Sequence, residues 1–80
     1  MTTIKNFIAE EINNNTRNII LITVEQGKAL NKYKDELVFN RYSLEFFFQQ
    51  DLVIIYDDIF TEYDPLKITL DEFLKAISNC

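Results

Sequence analysis

Apolar residues recur at helical spacing near both ends of the chain and at strand-like density between them. Ile4, Phe7, Ile8 and Ile12 stand three, one and four residues apart, which gathers them on one face of a helix over residues 3–13. Thr2 or Thr3 supplies a hydroxyl for its first turn, and Lys5, Asn6, Glu10 and Glu11 fall on the outer face. Asn13-Asn14-Asn15 ends this helix, because asparagine offers the backbone competing hydrogen bonds and tolerates left-handed conformations. Towards the other end, Thr69-Leu70-Asp71-Glu72 has the form of a capping box, with the Thr69 hydroxyl capping and Glu72 reaching back. Asp71 and Glu72 also suit the positive end of a helix dipole. Leu70, Phe73, Leu74 and Ile77 then line one face of a C-terminal helix.

The middle of the chain is rich in β-branched and aromatic residues. Residues 18–24 (NIILITV) predict a central strand, apolar on both faces. Gly27, the single glycine, marks a break after it. Leu30, Tyr33, Leu37 and Val38 keep helical spacing, so residues 28–38 read as a helix with Lys28, Lys32, Asp35 and Glu36 facing outward. Residues 37–42 (LVFNRY) would also make a strand, and the second half of that segment stays open between the two. Residues 44–48 (LEFFF) and 52–56 (LVIIY) flank Gln49-Gln50-Asp51, a polar connector of hairpin length. A single helix would also keep Leu44, Phe47, Phe48, Leu52 and Ile55 in period, but the residue types favour two antiparallel strands. Residues 57–68 read as a loop, with a turn at Asp64-Pro65.

The expected fold is α+β: one domain over residues 1–80, with a three- or four-stranded antiparallel sheet and the N- and C-terminal helices packed on one face. The order helix, strands, helix is similar to that of double-stranded-RNA-binding domains. Those carry a basic cluster where this chain has Asp71 and Glu72, with Lys67 the one lysine nearby, so the likeness ends at the order.

Composition adds a core and a charge. With 80 residues the chain is near the lower limit for a fold held by its core alone, and 48% apolar and 14% aromatic residues offset its size. The net charge of −5 argues against direct binding of nucleic acid or anionic membrane and permits a basic protein as partner. It also does the ordinary work of keeping a small protein in solution. There is no basic stretch followed by an apolar one at the N-terminus, and no apolar run exceeds five residues. Cys80 is the single cysteine, a free thiol at the chain end with no disulfide partner. A cytoplasmic, reducing setting follows as the expectation.

Catalytic chemistry finds no foothold. Histidine is absent, and one glycine cannot build a phosphate-cradling loop. Cys/His zinc sites are excluded, and the carboxylates at Asp57, Asp58, Glu62 and Asp64 lack the spacing and glycine of a calcium loop. No enzyme activity, cofactor or metal is expected. Lys28, Lys32, Lys34 and Arg41 read as a solvated basic face.

Residues 42–66 are the most distinctive stretch, with six acids and no lysine or arginine. Adjacent strand side chains point to opposite faces, so Phe46, Phe47 and Phe48 cannot all enter one core. The far face of the sheet is then a candidate self-interface, and a homodimer an alternative outcome. Beyond the hairpin, acids and aromatics interleave. Tyr56, Asp57, Asp58, Phe60, Glu62, Tyr63 and Asp64, with Asp71 and Glu72 downstream, form the candidate partner-binding set. Carboxylates would pair with Arg or Lys of a partner and the rings would anchor it; the plainer alternative is a solvated loop whose rings tuck back on the core. In composition the chain resembles small acidic accessory proteins of phages and mobile elements, some of which inhibit nucleic-acid-binding enzymes by placing carboxylates where phosphates would sit. The expected function is therefore that of a non-catalytic binding protein occluding a basic surface.

Overall fold

Helix α1 spans Ile4–Glu11, with the Thr3 hydroxyl accepting the Asn6 N–H at 3.1 Å, as the sequence pattern predicts. The computed structural model describes residues 1–79 and continues with α2 (Asn14–Ala29), four strands and α3 (Leu70–Ser78). Cys80, the candidate free thiol, lies outside the described residues.

The asparagine run ends α1 and at once begins α2. The Asn13 side chain accepts the N–H groups of Asn15 and Thr16, and the Thr16 hydroxyl accepts the Asn13 N–H in return. That reciprocal cap launches a helix through residues 18–24, which the β-branched run predicts as a strand. Ile20, Val24 and Gly27 are its buried positions, four and three apart. Ile19, Leu21 and Ile22 are also apolar but lie on the exposed side, so the helical period is masked in the sequence. Propensity loses here to capping and to the burial of one helical stripe.

Gly27 is inside the helix rather than at a break. A Cβ there would stand 2.2 Å from the Phe48 ring, so the absence of a side chain lets that ring lie against the helix. The stop comes later, with Asn31 in the left-handed region (φ 54°). Asn31 donates to the Lys28 carbonyl and Lys32 to the Gly27 carbonyl, the paired bonds of a Schellman ending. Residues 28–38 are thus a helix end, a turn and strand β1 (Lys34–Val38), not one helix.

β2 (Tyr42–Phe47) and β3 (Leu52–Asp57) form the expected hairpin, with a 3-10 turn at Phe48–Gln50 and Asp51 in the left-handed region between them. β4 (Leu66–Thr69) pairs with β3, which turns the end of the predicted 57–68 loop into an edge strand. The sheet order is β1-β2-β3-β4, antiparallel throughout. Four strands resolve the expected choice of three or four. Thr69 caps α3 by accepting the Glu72 N–H at 3.1 Å.

Strand alternation sorts the side chains. Tyr42, Leu44, Phe46, Val53 and Ile55 point to one face and are buried with Phe7 of α1, Ile20 and Val24 of α2, and Leu70, Phe73 and Ile77 of α3. Burying each such side chain contributes about 1.5–3 kcal/mol. Phe7 is the hub, edge-on to Tyr42 at 5.5 Å and 6.0 Å from Phe73. All three helices therefore cover one face, and the other carries Phe47, Leu52 and Ile54 without a helix over it. The three phenylalanines divide as the pleat requires. Phe46 is buried and Phe47 lies on the open face, while the 3-10 turn swings Phe48 back to stack on Phe46 (6.1 Å, 8°) beneath Gly27.

Replacing Gly27 with alanine would favour an isolated helix, yet it forces the Phe48 ring away. Gly27→Ala is expected to destabilise the fold by about 1–2 kcal/mol, the overpacking cost exceeding the propensity gain. Urea denaturation checks it, and an unchanged or raised midpoint would show that the ring gives way freely.

Candidate functional site

Arg41, one residue before the acid-rich stretch, organises the end of the sheet where the 58–65 loop begins. Its guanidinium meets Asp57 with two hydrogen bonds, Nε to Oδ1 at 3.3 Å and Nη2 to Oδ2 at 2.8 Å. Nη1 reaches both carboxylate oxygens of Glu10 at 2.7 Å. Its backbone N–H donates to Glu11 Oε1 at 2.8 Å, and its carbonyl accepts the Asp58 N–H at 2.8 Å. Rings of Phe60 and Tyr42 lie 4.9 and 5.1 Å from the guanidinium carbon. One side chain thus ties α1, β2, β3 and the loop together. Such bidentate, aromatic-flanked geometry is what a planar guanidinium provides and an ammonium does not.

Asp57 completes the clamp. Besides Arg41, its Oδ1 accepts the N–H groups of Ile59 at 3.0 Å and Phe60 at 2.9 Å, folding the start of the loop into an Asx turn. Its side chain is 1% exposed. The hydrogen bonds from Arg41 hold the carboxyl down at about 2, helped by the Phe60 and Ile59 N–H groups and opposed by burial. Arg41 is in turn held more firmly protonated by Asp57. Asp57 is therefore an internal anchor, and its charge is spent inside the protein.

The other predicted site residues divide by place. Asp58, Glu62 and Asp64 are exposed on the loop. Phe60 and Tyr63 stack on one another at 5.4 Å and 25°, with Phe60 also against Arg41, so the rings form a half-exposed pair rather than tucking fully into the core. Tyr56 points to the helix-free face, where its hydroxyl donates to Glu45 Oε1. Asp71 and Glu72 do not join them. β4 carries the chain away from the loop by about 13 Å of strand, so α3 starts at the opposite end of the sheet, where the Leu70 N–H donates to the Asp51 carbonyl. Asp71 there pairs with Lys75 at 3.0 Å.

In their place the fold brings residues from β1 and β2. A groove of about 400 Å³ opens on the helix-free face between β1 and the loop. Its lining includes Glu36 and Val38 of β1, Ser43 and Glu45 of β2, Tyr56 and Asp58 from β3 onward, and Tyr63 of the loop. The Ser43 hydroxyl donates to Asp58 Oδ2. Glu45 pairs with Lys34 at 2.7 Å, and the hydrogen bond from Lys34, followed by that from Tyr56, holds its carboxyl below the usual range. Counting outward from the Gln49-Gln50-Asp51 connector would set Ser43 opposite Asp57 and Glu45 opposite Ile55. Phe48 joins the turn, so their partners are Tyr56 and Ile54, and only the alternation that puts Ser43 and Glu45 on one face of β2 was within reach of sequence reasoning. Glu36 was not, since its place depends on a β1 register that the helical reading of residues 28–38 hides.

Among the described residues no three His, Cys, Asp or Glu side chains gather as a metal site, and no helix is long and apolar enough to cross a membrane. No family model, no curated protein and no solved structure matches the chain.

Asp57 sets an acid limit with a definite sign. Its folded pKa of about 2 lies below the ordinary 3.8, so its contribution is complete above about pH 4 and disappears as pH falls towards 2. In Asp57→Asn, chemical denaturation across pH 2–5 is expected to show lower stability at pH 5 and a shallower fall between pH 4 and 2, the remainder coming from Glu45. Parallel curves for the two proteins would contradict the assignment.

Proposed function

We propose that this chain is a non-catalytic binding protein that covers a basic surface on a partner protein through the 58–65 loop and the adjoining helix-free face. The observation that carries the reading is the Arg41 clamp. Glu10, Glu11 and Asp57 are committed to fixing the loop, while Asp58, Glu62 and Asp64 stand exposed on it beside the Phe60–Tyr63 pair. A loop held in one shape loses less conformational freedom on binding than a mobile one. Exposed carboxylates beside rigid rings suit a partner surface of Arg and Lys, giving electrostatic steering from the acids and anchoring from the aromatics. The net charge of −5 acts in the same direction.

A nucleic-acid-binding enzyme is the partner class such a surface fits, because its phosphate-contacting cations present the matching charge. In this reading the protein inhibits by occupying that surface and binds neither nucleic acid nor membrane itself, as a small cytoplasmic accessory protein of a phage or mobile element would. Self-association is the second reading, favoured by Phe47, Leu52 and Ile54 on the sheet face that no helix covers.

The two ends of the sheet supply the test. In affinity capture from host lysate, Asp58→Lys/Glu62→Lys/Asp64→Lys is expected to lose the partner retained by the native chain, and Asp71→Lys/Glu72→Lys to keep it. Retention by the first variant would remove the loop from the interface. Light scattering of the native chain alone is expected to give a monomer mass, and a stable dimer would favour self-association instead.

A further inference from the structure

The groove beside the loop repeats, on the outer side of the sheet end, the residue types that hold Arg41 on the inner side. Within, a guanidinium lies between carboxylates of Asp57 and Glu10 and the rings of Phe60 and Tyr42. Without, Asp58 and Glu36 border the groove and Tyr56 and Tyr63 wall it. Chain alternation produces the repeat, since Asp57 and Asp58 point to opposite faces. The stacked pair continues it, with Phe60 covering Arg41 and Tyr63 facing the groove.

We propose that this groove receives one arginine side chain of the partner protein, a proposal that rests on the binding function above. Charge selects the class of occupant. The lining contains Glu36, Glu45, Asp57 and Asp58 and no lysine or arginine. Asp57 is committed to Arg41, and Glu45 to Lys34 and Tyr56. Among the described residues no ion pair involves Glu36 or Asp58. An anion would be repelled, and an uncharged group would cover these two carboxylates without compensating them. The apolar part selects within the cations. Val38, Pro65 and the two tyrosine rings give an aliphatic stem and a flat head something to lie against. A guanidinium stacks on such rings and meets a carboxylate with two N–H groups, whereas an ammonium ion is more strongly hydrated and does neither as well. The volume of about 400 Å³ is at the lower end for a ligand site, which suits a side chain better than a cofactor.

A single side chain supports affinity only on the order of millimolar, which chemical-shift titration reads. The ¹⁵N-labelled full chain would be titrated with acetyl-Gly-Arg-Gly-amide and, in parallel, with the lysine and citrulline peptides. The arginine peptide is expected to move the amides of Val38, Ser43, Tyr56 and Tyr63 at lower concentration than the lysine peptide, and citrulline to leave them unmoved. Asp58→Asn and Glu36→Gln, each with an otherwise native spectrum, are expected to weaken the arginine response about threefold to tenfold. No movement at these amides, or equal movement with all three peptides, would overturn the groove assignment. If loop charge reversal releases a partner while the arginine peptide leaves the groove unmoved, the groove inference fails alone. If the peptide fills the groove while no partner depends on the loop acids, the groove inference stands and the functional reading fails.

Discussion

The end of the sheet that bears the loop depends on where Arg41 puts its guanidinium. Two carboxylates hold it, Glu10 from the first helix and Asp57 from the third strand, and a third, Glu11, takes its backbone N–H. Glu11 and Asp57 are buried and would be costly to leave without a partner, Glu10 is exposed, and all three are bonded by the one residue. Asp57 then has capacity for two loop N–H groups as well. The consequence is a loop whose first turn is fixed from inside, so that its remaining acids and rings are displayed from a defined frame.

That frame separates structural charge from available charge. Of the acids near the loop, Glu10, Glu11 and Asp57 are bonded by Arg41 and Glu45 is paired with Lys34, while Asp58, Glu62 and Asp64 are exposed. Strand alternation makes one sheet face the core and leaves the other open, with Tyr56 bonded to Glu45 and Ser43 to Asp58 across its surface. The groove arises because β1 and the loop rise on either side of β2 and β3. Its chemistry therefore comes from three segments distant in sequence, Glu36, Glu45 and Asp58, rather than from one acidic run.

Much of the fold was legible. Helical spacing in Ile4, Phe7 and Ile8, the Thr69 cap and the paired apolar runs about Gln49 each agree with the local structure, and the antiparallel sheet follows. The failures have physical causes. Residues 18–24 have strand-forming side chains, but Asn13 and Thr16 start a helix ahead of them, and Ile20 and Val24 bury as a helical stripe. Gly27 signals close approach to Phe48, not a break. At the site, exposure of Asp58, Glu62 and Asp64 was readable from the loop itself. The internal role of Asp57 was not, because Arg41 falls just outside the acid-rich stretch and Glu10 lies thirty-one residues from it in sequence. Asp71 and Glu72 are close to the loop in sequence and far from it in space, since β4 intervenes.

The central claim is that Arg41 fixes the loop without being required for the sheet. Amide hydrogen exchange of Arg41→Met tests it most directly. The N–H groups of Ile59 and Phe60, bonded to Asp57, are predicted to lose protection while those of Leu44 and Val53 in the core strands retain it. Unchanged protection at Ile59 and Phe60, or loss of protection across the whole sheet, would contradict the account.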